Sequence, residues 1–96
     1  MEEIQEKVKE FIKKRAELKE YEPSLEILFV HLSEEVGELA AQIYSKKARP
    51  EKYEEEKLKD SVCDVILAAV GIANYLNMDL SKELNNVINE LNNRKL

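Results

Sequence analysis

Only four residues in this 96-residue chain are of the kinds that interrupt a helix: Pro23, Gly37, Pro50 and Gly71. Pro and Gly carry the largest helix penalties. A chain nearly free of them, and rich in Glu, Lys, Leu, Ala and Ile, favours long helices. The first helix, over roughly 2–20, puts Ile4, Val8, Phe11, Ile12 and Leu18 on one side. Pro23 ends it, and Ser24 is placed to cap a second helix over about 24–47. There Leu25, Leu28, Phe29, Leu32, Val36, Leu39, Ala40 and Ile43 keep the spacing of one helix face. Lys46 and Lys47 occupy its last turn, where positive charge suits the helix dipole. Ala48-Arg49-Pro50 makes the next break. A third helix over about 51–77 starts polar, at Glu54-Glu55-Glu56, and carries an apolar stripe of Val62, Val65, Ile66, Ala69, Ile72, Ala73 and Leu76. Asn77-Met78 turns the chain, and Asp79 caps a fourth helix over about 80–94 that buries Leu80, Leu84, Val87, Ile88 and Leu91. Short connections imply antiparallel neighbours. The expected fold class is all-α, a four-helix arrangement of antiparallel helices forming one domain over residues 1–96.

Hydrophobic residues make up 44% of the chain and charged residues 36%, as in soluble globular proteins rather than disordered ones. A chain this short buries only about 60–65% of its unfolded surface, so pairing with a second copy would enlarge a modest core. The formal charge of −5 argues against a nucleic-acid partner. No apolar run approaches the roughly 18 residues that span a bilayer, and the acidic, amphipathic start is unlike a signal peptide. Cys63 is the single cysteine, so no internal disulfide forms and a reducing cytoplasm is expected.

The residues with chemical potential are acids at helical spacing. Glu35 and Glu38 lie three apart on one helix face, with Val36, Leu39 and Ala40 among them; Glu34 is further round and reads as solvated. Asp60 and Asp64 lie four apart, and Asp64 sits inside the run Val62-Cys63-Asp64-Val65-Ile66. Carboxylates beside an apolar core are costly unless a cation pairs with them. If helices two and three pack antiparallel, Glu35, Glu38, Asp64 and Asp60 converge. Oxygen ligands alone suit Mg²⁺ or Mn²⁺ rather than zinc. The same residues are also compatible with an ordinary solvated face. Gly37 and Gly71 each mark either close helix packing or a ligand-side approach.

Leu32-Ser33-Glu34-Glu35-Val36-Gly37-Glu38-Leu39-Ala40 closely resembles the first motif of the MazG-like nucleotide pyrophosphohydrolases. Asp60-Ser61-Val62-Cys63-Asp64-Val65-Ile66 looks like their second motif. Ala73-Asn74-Tyr75-Leu76-Asn77-Met78-Asp79-Leu80 resembles the turn before their last helix. The resemblance covers about residues 25–95. It implies an all-α NTP pyrophosphatase-like fold, a homodimer or dimer of dimers, and Mg²⁺-dependent cleavage of a nucleoside triphosphate to monophosphate and pyrophosphate. In the family, Glu-x-x-Glu followed by Glu-x-x-Asp holds the metal. Carried over, Glu35, Glu38 and Asp64 match as metal and catalytic residues. The fourth position is Ser61, with Asp60 beside it as a substitute ligand. Ala68 stands where many members have an aromatic residue, and Val87 and Leu91 where many have Lys and Asn. Arg94 matches a basic residue near the family's C-terminal end. Lys46, Lys47 and Arg94 are the candidate substrate-binding cations. A catalytically degenerate relative that binds nucleotide or metal, or a helical oligomerisation module, is the alternative.

Other residues read more simply. His31, the only histidine, is four from Glu35 and suits a side-chain pair. Cys63 reads as apolar packing. Lys13-Lys14-Arg15 reads as a solvated face. Tyr21, Tyr44, Tyr53, Tyr75, Phe11 and Phe29 are available for stacking on a base, although core packing is the default.

Overall fold

The computed structural model describes residues 1–20 and 22–94. They form four α-helices: α1 (Glu2–Lys19), α2 (Leu25–Ala48), α3 (Glu55–Tyr75) and α4 (Leu80–Asn92). The expected breaks and caps are in place. The Ser24 hydroxyl accepts from the Ile27 N–H at 3.2 Å, and Asp79 accepts from the Lys82 N–H at 3.3 Å. α3 closes with Asn77 at φ 57 and a bond from the Met78 N–H to the Ala73 carbonyl at 3.0 Å, a left-handed cap that Asn tolerates.

The third helix begins later than its spacing suggests. Pro50–Lys52 instead form a short 3₁₀ turn. Tyr53 then folds back: Lys46 Nζ stands 5.4 Å from its ring centre, and its hydroxyl donates to Glu55. That bond pushes the Tyr53 pKa up to about 12 and holds the Glu55 carboxyl below its usual range. Tyr53 is thereby kept extended at φ −76, ψ 135, so α3 starts only after Glu54.

α3 is the centre of the fold. A methyl placed on Gly71 would stand 2.8 Å from Ile12 Cδ1 and 3.7 Å from Leu28 Cδ2, so α1, α2 and α3 meet at this residue. Val8, Val70, Ala73 and Leu80 form the core beside it, with Ile12 and Met78 packed on. Gln5 fastens α1 to the α3–α4 turn. Its amide donates to Asn74 Oδ1 at 2.9 Å and to the Met78 carbonyl at 2.8 Å, and accepts from the Leu80 N–H at 3.0 Å. α4 then leaves at 107° to α3, nearly crosswise rather than antiparallel, because the left-handed Asn77 turns the chain sharply.

Much of the expected core lies on the surface of the single chain. Val62, Ile66 and Leu76 of the α3 stripe are exposed, as are Val36, Phe29 and Ile43 of α2 and Leu84, Val87, Ile88 and Leu91 of α4. Phe11 and Leu18 of α1 are exposed too, and so is Cys63. The physical reason is that α3 is apolar on two faces, and α1 and α2 cover only one. The outline is a slab of 49 × 42 × 23 Å with a radius of gyration of 16.0 Å, against about 12.5 Å for a compact domain of this length. The accessible surface is 7744 Å², against roughly 5,700 Å² for a compact monomer of this mass.

The two glycines therefore separate by substitution. Gly37 has nothing near its Cβ position, and Gly37→Ala should raise stability by up to about 1 kcal/mol. Gly71→Leu should lower it by about 1–3 kcal/mol through overpacking against Ile12 and Leu28. Thermal melts of the two variants check this, and equal shifts would contradict it.

Candidate functional site

α2 and α3 run antiparallel: Leu28 meets Gly71 at one end, and seven residues on, Glu35 shares a cavity with Asp64, seven residues back. The spacing of α2 and α3 thus delivers one acid from each helix to the same place. The cavity, about 460 Å³, is closed on its third side by α1. Leu28, Leu67 and Ala68 give it apolar walls, while Lys7, Arg15 and His31 add basic groups. The Glu35 side chain is only 22% exposed, and His31 Nδ1 stands 3.9 Å from its Oε1, the expected pairing one turn apart.

The other two acids do not join them. Glu38 is exposed, and its Oε1 accepts from Gln42 Nε2 at 3.2 Å. Asp60 is exposed as well, and so is Asp64, which the sequence had set beside the apolar core; of these three only Asp64 lines the cavity. Among the described residues, no three His, Cys, Asp or Glu side chains stand close enough to hold an ion between them. The expected convergence of four acids is reduced here to the pair Glu35–Asp64. The register explains why. It sets Glu38 across from Ser61, which is 4% exposed and spends its hydroxyl on the Lys57 carbonyl at 2.9 Å. Asp60 is one residue, about 100°, round the helix and faces solvent.

Two carboxylates on facing helices still fit Mg²⁺, which is usually held by one or two protein carboxylates and completes its shell with waters and substrate phosphates. Of the cations picked from sequence, Lys46 lies over the Tyr53 ring and Arg94 pairs with Glu90 at 3.1 Å. Neither they nor Lys47 line the cavity. Tyr21 lies outside the described residues. Sequence reasoning passed over α1, which brings Lys7, Phe11 and Arg15 to the cavity. Their signal was present, since they recur every four residues alongside Ile4, Val8 and Ile12. Arg15, read as part of a solvated run, is instead half-buried.

Among solved structures, this chain is similar to the crystal structure of the Bacillus-conserved MazG protein, a nucleotide pyrophosphohydrolase. The match has a TM-score of 0.76 and 30% identity, covering 99% of this chain and 92% of that one. The chain belongs to the MazG-like family. Its sequence matches no protein-family profile, and no curated protein matches it. At Ser61, where the resemblance noted above would place a fourth acid, the structure holds a buried hydroxyl bonded to its own helix.

Refilling that position tests the register. Ser61→Glu should melt lower than the parent protein in chelator, because it adds a carboxylate opposite Glu38. It should also show the larger rise in melting temperature when Mn²⁺ is added. A variant whose melt ignores Mn²⁺ would mean that position 61 does not face the acids of α2.

Proposed function

We propose that this MazG-like chain is a nucleoside triphosphate pyrophosphohydrolase, cleaving a (d)NTP to (d)NMP and pyrophosphate with Mg²⁺ or Mn²⁺. The observation that carries this reading is the placement of Glu35 and Asp64 from facing helices in one cavity, in a chain of this family. Glu35 and Asp64 are the proposed metal ligands, with Glu38 and Asp60 flanking them on the same two helices. A divalent ion held there would neutralise phosphate charge and favour attack of water at the α-phosphorus. Leu28, Leu67 and Ala68 share the cavity with the two carboxylates, and the largely covered Glu35 is the one whose charge contacts are stronger than in water. His31, next to Glu35, is placed to fix that carboxylate's orientation. Lys46, Lys47 and Arg94 remain candidates for the substrate only if a partner chain or a closing motion brings them to the phosphates.

The buried Ser61 specifically favours a second reading, in which the chain binds nucleotide and metal without turning the substrate over. Pyrophosphate release from a panel of dNTPs and NTPs separates the two. The expected result is Mg²⁺- or Mn²⁺-dependent turnover that falls on the order of 100-fold or more in Asp64→Asn and Glu35→Gln. Calorimetric binding with no release, in parent and variants alike, would select the second reading.

The partner proposed is a second copy of the chain. The excess of roughly 2,000 Å² over a compact monomer is of the size that obligate homodimers bury, and the exposed α3 and α4 stripes supply its apolar area. These features support a homodimer or a dimer of dimers. No single helix among the described residues is long and apolar enough to cross a membrane, and the exposed free thiol of Cys63 suits a reducing, cytoplasmic setting. Sedimentation should give a dimer or larger at micromolar concentration, and Ile88→Asp should shift it toward monomer. A monomeric parent protein would remove the self-association proposal.

A further inference from the structure

The cavity beside Glu35 and Asp64 has a basic side that the acid motifs do not account for. Arg15 lines it, is half-buried, and forms no ion pair among the described residues. It also borders the neighbouring hollow that holds Glu34, so the guanidinium sits between two acidic walls without engaging either. Removing part of a guanidinium's hydration without supplying an anion is unfavourable, and a planar fork of donors is matched by phosphate or carboxylate oxygens. Lys7, the other cation on this wall, is 74% exposed and already 3.3 Å from Glu3, so it contributes little directional binding. Phe11 stands midway between them on the helix, 58% exposed, with its ring available at the cavity.

Resting on the pyrophosphohydrolase reading, we propose that α1 supplies the anion-binding half of the site: Arg15 holds phosphate oxygens of the nucleoside triphosphate, and Phe11 offers a face to its base. The charges divide accordingly. A divalent ion offsets Glu35 and Asp64, and the remaining negative charge of the phosphates falls to Arg15. A cavity of about 460 Å³ lies within the size range of small-ligand sites. A base on Phe11 gains stacking, which is tolerant of base identity.

The test combines steady-state kinetics on the nucleotide panel with calorimetric titration of inorganic tripolyphosphate in Mg²⁺. Arg15→Gln should raise both the KM and the tripolyphosphate Kd on the order of ten- to a hundred-fold. Arg15→Lys should recover part of the loss, and Mn²⁺ binding should be unchanged in both. Phe11→Ala should raise the KM for nucleotides and leave tripolyphosphate binding as it was. Lys13→Gln, on the solvent side of α1, should change neither. If the parent protein binds tripolyphosphate but releases no pyrophosphate, the pyrophosphohydrolase reading fails, while a loss in Arg15→Gln still upholds the role of Arg15. Parental KM and Kd in Arg15→Gln overturn the proposal with that reading intact. A parent protein that binds neither nucleotide nor tripolyphosphate overturns both.

Discussion

The packing of α2 against α3 at Gly71 is the contact on which the rest depends. With no side chain there, Leu28 of α2 and Ile12 of α1 reach the same point on α3. Once that contact is fixed, the antiparallel register follows along both helices. Seven residues are close to two full turns, so Glu35 and Asp64 return to the interface together. The same count places Glu38 across from Ser61. The site is thus set by a glycine about 10 Å of helix away from it, through 1.5 Å of rise per residue. Gln5 supports the arrangement from the other end, since its amide ties α1 to the turn that begins α4.

The helices and their caps were legible because the signals are local. Ser24, Pro23, Asn77 and Asp79 act within a turn of where they stand, and the apolar spacing within each helix does the rest. The antiparallel packing of α2 on α3 that brings Glu35 and Asp64 to one cavity was legible too, because it is the simplest outcome of a short connection. What the sequence left open was direction around each helix. Val62, Ile66 and Leu76 share a stripe with true helical spacing, yet α3 has a second apolar face at Ala68, Val70, Gly71 and Ala73, and that is the one α1 and α2 cover. Periodicity identifies an apolar face without saying which neighbour takes it. Arg15 was missed for a related reason. It sits in Lys13-Lys14-Arg15, where composition suggests solvent, while its spacing from Phe11 places it at the cavity. Tyr53 shows a third limit, since a side chain folding back onto α2 delays α3 in a way that helix propensity alone does not anticipate.

The surplus surface and the apolar stripes are two views of one fact. In this arrangement the other helices leave Val62, Ile66 and Leu76 of α3 exposed. α4, which could have covered it, is turned away at 107°. A helix that is apolar on more than one side is the basis for the self-association proposed above. The cavity lined by Glu35 and Asp64 is walled on its third side by α1, so it lies apart from the exposed Leu84, Val87, Ile88 and Leu91 of α4.

The cavity gathers charged groups that its own walls do not pair off. Glu35 and Asp64 both line it beside Leu28, Leu67 and Ala68, with Glu35 largely covered and Asp64 exposed. Arg15 lines it too and forms no ion pair among the described residues. Ser61, which the register sets across from Glu38, is neutral, and its hydroxyl bonds the Lys57 carbonyl on its own helix. A carboxylate in that buried position would be costly without a cation beside it. Ser61 avoids that cost, so α2 and α3 pack at this position without needing a cation. On the metal reading proposed above, the same residue leaves Glu35 and Asp64 as the pair offered to an ion and gives up the position that would tighten its hold.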